Sequence, residues 1–200
     1  MNLTAELVKQ WAAFEIRYPE ASLEEFCRYY LVQQEKEKDE QFLGGIVPPE
    51  HDQKLAKLMD RIMKLYMVYA APALKVVGIK TFDEFLYINT IGHQGSPRKT
   101  DVINFNFDEL SSGLLIIDRL INKGLVQQFA DGEDKRARRL TLTDKGKSIL
   151  KACYVQLDSL NKRFFNQMPT EDMQLCIQLL SPLEARFVNQ WKQHKGVVNS

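Results

Sequence analysis

The chain has 200 residues, 44% hydrophobic and 26% charged, with 27 Lys and Arg against 26 Asp and Glu. This is the composition of an ordinary folded protein with ample core, and it excludes a disordered chain and one that holds nucleic acid by bulk positive charge. No run of about 18 uncharged apolar residues occurs, and no basic start followed by an apolar stretch opens the chain, so a cytoplasmic protein without a membrane partner is expected.

Charge is spread unevenly. Residues 1–95 carry 11 basic and 14 acidic groups, residues 96–147 carry 10 and 8, and residues 148–200 carry 6 and 4. Cys27, Cys153 and Cys176 are odd in number, far apart and outside any CxxC spacing, which supports neither a disulfide framework nor a zinc site.

Leu3–Arg17 reads as an amphipathic helix carrying Leu3, Leu7, Trp11 and Phe14, closed by Tyr18-Pro19. A capping box at Ser22–Glu25 starts a second helix to about Lys38, the far end of which is almost wholly polar. Gly44-Gly45 and Pro48-Pro49 mark a loop. From Asp52 apolar residues recur every three or four positions, with Met63, Met67 and Val68 on a further side, so this helix is expected to be buried on more than one face. Pro72 is expected to kink it and Gly78 to end it.

Thr81–Glu84 is another capping box, opening a helix that gives out at Gly92–Gly95. Ser96-Pro97 offers an N-cap and a proline at the first helical position, for a short helix to about Asn104. Asn106–Glu109 repeats the cap pattern, which makes Asn106 the N-cap of a helix over Phe107–Asn122, ended by Gly124. Leu125–Phe129 and Arg138–Thr143 then form a hairpin across Asp131–Asp134. Helical spacing returns over Thr143–Gln167 and Glu171–Leu180. A box at Ser181–Glu184 opens a last helix bearing Leu183, Phe187 and Trp191, and apolar stripes at both ends of the chain call for a partner surface.

Two helices a few residues apart, the second running into a basic hairpin, give a helix-turn-helix layout. Ser111-Ser112, Asp118-Arg119-Leu120, Lys123-Gly124-Leu125-Val126, Asp131, Asp134-Lys135-Arg136, Leu142-Thr143 and Gly146 together resemble the signature of the MarR family of bacterial winged-helix transcription regulators. The resemblance implies a mostly α fold with a small β-hairpin wing, and a symmetric homodimer on double-stranded DNA with a pseudo-palindromic operator, most often as a repressor. It divides the chain into an N-terminal helical extension (1–50), a dimerisation region (51–80 and 148–200) and a winged helix-turn-helix domain (81–147).

The family match makes Ser111 and Ser112 hydrogen-bonding residues of the recognition helix, and Arg136 the wing-tip arginine, with Asp134 fixing its direction. Lys135, Arg138 and Arg139, and Arg98 and Lys99 at the start of the preceding helix, are candidate phosphate contacts. Two departures stand out: Leu115 occupies a position that is often basic, and Gly113 one that is usually bulkier, which suggests close approach of a backbone or of DNA. Tyr66, Tyr69, Phe82 and Phe85, with Tyr87, are candidates for a pocket taking a small aromatic effector. Trp191 is expected on the subunit interface. Cys27 has the look of a core cysteine, although a peroxide-sensing branch of the family uses an N-terminal cysteine; Cys153 and Cys176 read as structural.

His51, His93 and His194 are scattered, and no P-loop, GxSxG or GxGxxG occurs, so neither an enzyme nor a metal or other cofactor is expected. Two other readings stay open: a winged-helix module for protein contacts, favoured by Leu114-Leu115 and the near-neutral charge, and a redox or ligand sensor on the same fold.

Overall fold

The computed structural model describes residues 2–33, 42–132 and 137–196. Lys135, Arg136 and Asp134 therefore lie outside the described residues, as does the polar end expected for the second helix. The elements in chain order are α1 (Leu3–Arg17), α2 (Leu23–Gln33), a 3-10 turn (Phe42–Gly45), α3 (His51–Val76), α4 (Phe82–Gln94), α5 (Lys99–Phe105), α6 (Leu110–Asn122), β1 (Val126–Ala130), β2 (Arg138–Leu142), α7 (Asp144–Phe165) and α8 (Thr170–Lys195). Helices flanking a two-stranded antiparallel hairpin are the fold class expected from the sequence.

The chain divides into two compact units, Met1–Arg61 and Ile62–Ser200, with the division inside α3. In the first, α1 and α2 pack through aromatic rings. Trp11 meets Phe26 edge-on at 4.9 Å, and Phe14 sits 5.4 Å from Phe26 and 5.0 Å from Tyr29. The capping box that opens α2 is formed: the Ser22 amide donates to Glu25 Oε2 (2.7 Å) and the Glu25 amide to Ser22 Oγ (3.2 Å). Cys27, expected in the core, is exposed, and so is Cys176. Cys153 is buried, and desolvation pushes its thiol up to about 11.

The second unit is built around α4, which packs against α5, α6, α7 and β2. Phe85, Tyr87, Ile88 and Ile91 of α4 meet Val102 and Ile103 of α5, Ile116, Ile117 and Leu120 of α6, Leu140 of β2, and Cys153 and Leu157 of α7. Each fully buried isoleucine or leucine here contributes about 2 kcal/mol from apolar burial. Thr81 Oγ1 accepts the Glu84 amide (3.2 Å) and starts α4 as its sequence predicts. Thr143 does the same for α7, accepting the Gly146 amide at 3.0 Å.

Three helix boundaries differ from the sequence reading. α6 begins at Leu110 with Glu109 as N-cap, because the Asn106 side chain is spent closing α5, donating to the Val102 carbonyl (2.8 Å) and Thr90 Oγ1 (3.2 Å). α5 begins at Lys99 because the Ser96 and Pro97 carbonyls serve the wing, accepting from Arg139 Nη1 (2.8 Å) and the Leu140 amide (2.9 Å). α8 is one helix through Pro182; Ser181 turns its hydroxyl back onto the Ile177 carbonyl (2.7 Å) rather than capping a new segment.

α3 also departs from expectation. It runs through Pro72 to Val76 and buries only Ala70 and Leu74, while Met63, Met67 and Val68 lie exposed. The second apolar side exists in the sequence, but among the described residues of the second unit nothing buries it. No helix among the described residues is long and apolar enough to cross a membrane.

A candidate nucleic-acid interface

The interface is best built from α6 outward. Its buried side is Gly113, Ile116, Ile117 and Leu120. Ser111, Ser112, Leu115, Asp118, Arg119 and Asn122 are all exposed. The exposed positions follow one another by one, three, three, one and three residues, which on a helix is a single stripe. Both predicted serines therefore stand at the head of one solvent-facing surface, with Leu115 in its middle.

Gly113 faces inward. A Cβ there would sit 2.5 Å from Ile103 Cγ1 and 2.6 Å from Tyr87 Oη. The close approach inferred from the sequence is thus to side chains of α5 and α4, neither to a backbone nor to DNA. Tyr87 itself is fully buried and donates its hydroxyl to Asp108 Oδ2 (2.7 Å) in the turn between α5 and α6. Burial first, and the hydrogen bond to the Asp108 carboxylate second, raise its phenol far above its ordinary value. It belongs to the core rather than to a pocket.

The far end of α6 is held by an ion pair that the sequence did not announce. Glu84 in α4 is completely buried, and its Oε2 accepts from Lys123 Nζ (2.7 Å) and from the Lys80 amide (2.8 Å). Burial pushes this carboxyl upward, but the Lys123 hydrogen bond, the Lys80 amide and the charges of Lys123 and Arg119 outweigh it and leave the pKa below the ordinary carboxylate value. Lys123 Nζ also reaches the Gly78 carbonyl (3.3 Å). One lysine ties the loop before α4, α4 itself and the exit of α6.

The wing pairs in the register Val126↔Leu142, Gln128↔Leu140 and Ala130↔Arg138, and the Arg98 backbone bridges Arg139 on its other edge. At its root lies Asp131, with a side chain only 1% exposed. Asp131 Oδ2 accepts from Arg98 Nε and from Arg139 Nε, both at 2.9 Å. Arg98 and Arg139, expected as phosphate contacts, thus have their Nε groups committed to a buried carboxylate and act as a brace between the start of α5 and the wing. Arg138 is exposed and Lys99 half-buried. The residue that sequence reasoning undervalued is Asp131, which stood in the family signature and at the hairpin turn, the first of three acids ahead of a run of cations.

The effector candidates do come together. Tyr66 meets Phe82 edge-on at 5.9 Å and Phe164 at 6.0 Å; Tyr69 lies 5.2 Å from Phe164, and Phe82 lies 5.6 Å from Phe85. Tyr66 donates to Asn161 Oδ1 (2.9 Å), and Tyr69 remains half exposed. Trp191, expected on the subunit face, packs edge-on against Phe107 of its own chain at 5.3 Å. Among the described residues no group of His, Cys, Asp and Glu could hold a metal ion.

Residues 81–146 match the family model described as a winged helix DNA-binding domain. Among curated proteins, the chain is 35% identical over 65 residues to the transcriptional regulator HosA of Escherichia coli O157:H7, covering 32% of this chain and 48% of that protein. The chain spans about half the length of the curated relatives it matches. Among solved structures it is similar to a mutant MarR from E. coli complexed with operator DNA, with TM-score 0.61 and 19% identity over 64% of this chain and 92% of that one. It is also similar to AbsC, a MarR family transcriptional regulator from Streptomyces coelicolor, with TM-score 0.61 and 17% identity over 71% and 97% of the two chains. Residues 81–146 are a winged helix domain, and the chain is MarR-like in fold.

Proposed function

We propose that the chain is a sequence-specific transcription regulator that binds double-stranded DNA as a homodimer on a pseudo-palindromic operator, acts as a repressor, and is released by a small aromatic effector. The observation that carries this reading is the unbroken exposed stripe of α6, headed by Ser111 and Ser112, beside a wing whose root is fixed by Asp131. Serine hydroxyls serve either phosphate or base edges, and an exposed leucine suits a thymine methyl. Two similar proteins are supportive: HosA is a transcriptional regulator, and the MarR structure is a complex with operator DNA. A DNA target also fits the cytoplasmic location expected from the sequence.

The dimer is supported by uncovered apolar surface. α8 has 26 residues and buries none of them, leaving Ile177 65%, Leu179 52% and Phe187 55% exposed. Surface of that extent on a regular helix is what a partner subunit covers. The effector reading rests on the ring cluster around Tyr66 and Phe82, where a phenolic ligand would stack.

Salt dependence tests the proposal. With Lys99, Arg138, Lys135 and Arg136 on phosphate, about four cations per chain and eight per dimer predict a slope of about −7 in log affinity against log salt. A slope near zero would instead favour the protein-contact reading, which the exposed Leu110 and Leu115 support. Transcription from the selected operator should fall when the protein is supplied and recover when a phenolic ligand releases it.

A further inference from the structure

The turn 106–109 decides where α6 begins, and it is gripped from two sides. On the inside, Asp108 accepts the Tyr87 hydroxyl at 2.7 Å. On the outside stands α8. Phe107 has φ 60, a left-handed conformation that a phenylalanine does not choose by itself, and its ring meets Trp191 at 5.3 Å with an interplanar angle of 83°. Two residues on, Glu109 makes no capping bond to its own helix; its carboxylate pairs instead with Lys195 Nζ, 86 residues away.

We propose that Trp191 and Lys195, on the last turns of α8, are positioning residues of the DNA-reading head, holding the turn that enters α6 and setting how Ser111 and Ser112 are presented. The inference rests on the DNA-binding reading above. Three observations support it. First, the contacts are localised: a cleft of about 450 Å³, lined in part by Asn104, Phe105, Phe107, Glu184, Val188 and Trp191, separates α8 from α5, so no continuous packing aligns the two. Second, α8 buries no residue completely, so contacts made near its end, the Trp191 ring and the Lys195 ion pair among them, carry the alignment. Third, Glu109 is a negative charge at the end of α6 that would meet phosphates, and Lys195 neutralises it there.

Four forms of the full chain test this: wild type, Trp191→Ala, Lys195→Glu and the exchanged pair Glu109→Lys with Lys195→Glu. Hydrogen exchange is read at Gly113, whose amide donates to the Glu109 carbonyl (2.9 Å), and DNA affinity on a selected operator. Both single variants are expected to keep their helical content, to exchange about threefold to tenfold faster at Gly113, and to bind DNA about threefold to tenfold more weakly; the exchanged pair should restore both. Unaltered exchange in both single variants overturns the proposal whatever the DNA result. Loss of affinity that the exchanged pair does not repair overturns it for Lys195, showing that the lysine meets phosphate itself. Faster exchange together with no DNA binding by any form, wild type included, upholds the positioning and removes the DNA-binding reading instead.

Discussion

Replacing Asp131 by Ala isolates what holds the wing. The carboxylate is 1% exposed, and it accepts two charge-assisted hydrogen bonds at 2.9 Å from guanidiniums whose side chains are 38% and 34% exposed. A hydrogen bond to a charged group is worth about 1.5–3 kcal/mol, so two would total roughly 3–6 kcal/mol. Both arginines reach water, which screens the pairs and lets the guanidiniums rehydrate once the acid is gone, so the expected loss is about 2–3 kcal/mol. For a chain of this size that is a fall in melting temperature of about 4–12 °C. Urea denaturation at neutral pH measures the first figure and a thermal scan the second. The Arg138 and Leu140 amides should lose exchange protection before those of α4. A loss under about 0.5 kcal/mol with an unchanged wing would show that the backbone pairing at Pro97 and Leu140 positions the hairpin without the acid, and the brace argument would be wrong.

Other variants probe the rest of the head. Gly146→Ala puts a methyl 2.0 Å from the Leu125 carbonyl oxygen, a backbone atom that cannot swing aside, and should cost about 1–3 kcal/mol in urea; wild-type stability would mean that the β1 entrance is more yielding than its geometry. Tyr87→Phe removes the bond to Asp108 and should cost about 1 kcal/mol while loosening the turn 106–109, visible as faster exchange at Gly113. Glu84 titrates below the ordinary carboxylate value of 4.5 in the folded chain, so its contribution is fully present above the unfolded pKa and is lost as pH falls through the lower, folded one. Glu84→Gln should accordingly flatten the acid limb of the stability profile below about pH 4.5; an unaltered limb would assign the acid sensitivity elsewhere.

What could be read from the sequence was whatever short-range rules determine. The Thr81 cap, the reversal at Gly124 with φ 67, and the hairpin of Leu125–Phe129 with Arg138–Thr143 follow from local patterns on either side of a turn. Misplacements arose where a side chain or carbonyl had a distant claim on it. Asn106 reads as an N-cap because its competing acceptors, Val102 O and Thr90 Oγ1, are apparent only once α4 and α5 pack. That the Nε groups of Arg98 and Arg139, read for phosphate, meet Asp131 is likewise invisible locally, because the acid lies 33 residues from one and 8 from the other. The bond between Glu84 and Lys123, 39 apart, has no short-range signal: Glu84 reads as part of a capping box and Lys123 as part of the family signature. Serines 111 and 112 were legible as exposed; their chemistry toward a base edge was not.

These long-range pairs bear on how a near-neutral chain can act on DNA. The stripe of α6 carries Asp118 beside Arg119, so its charges offset, and its head is neutral serine. Two arginines of the wing region are drawn onto Asp131, and Lys123 onto Glu84. What the fold withholds from the surface it uses to fix geometry: Asp131 sets the wing against α5, Glu84 sets the exit of α6, and the Tyr87–Asp108 bond sets its entrance. On the proposed function, cations left outside those pairs supply attraction that any sequence shares, while a rigidly placed row of hydroxyls and Leu115 supplies discrimination. The two contributions should then separate in experiment. Raising salt should weaken operator and random DNA in nearly equal proportion, and Leu115→Ala should narrow the gap between them while barely altering the salt slope. A Leu115 variant that lost both alike would place the leucine in the fold rather than at the groove, and the division of labour would fail with it.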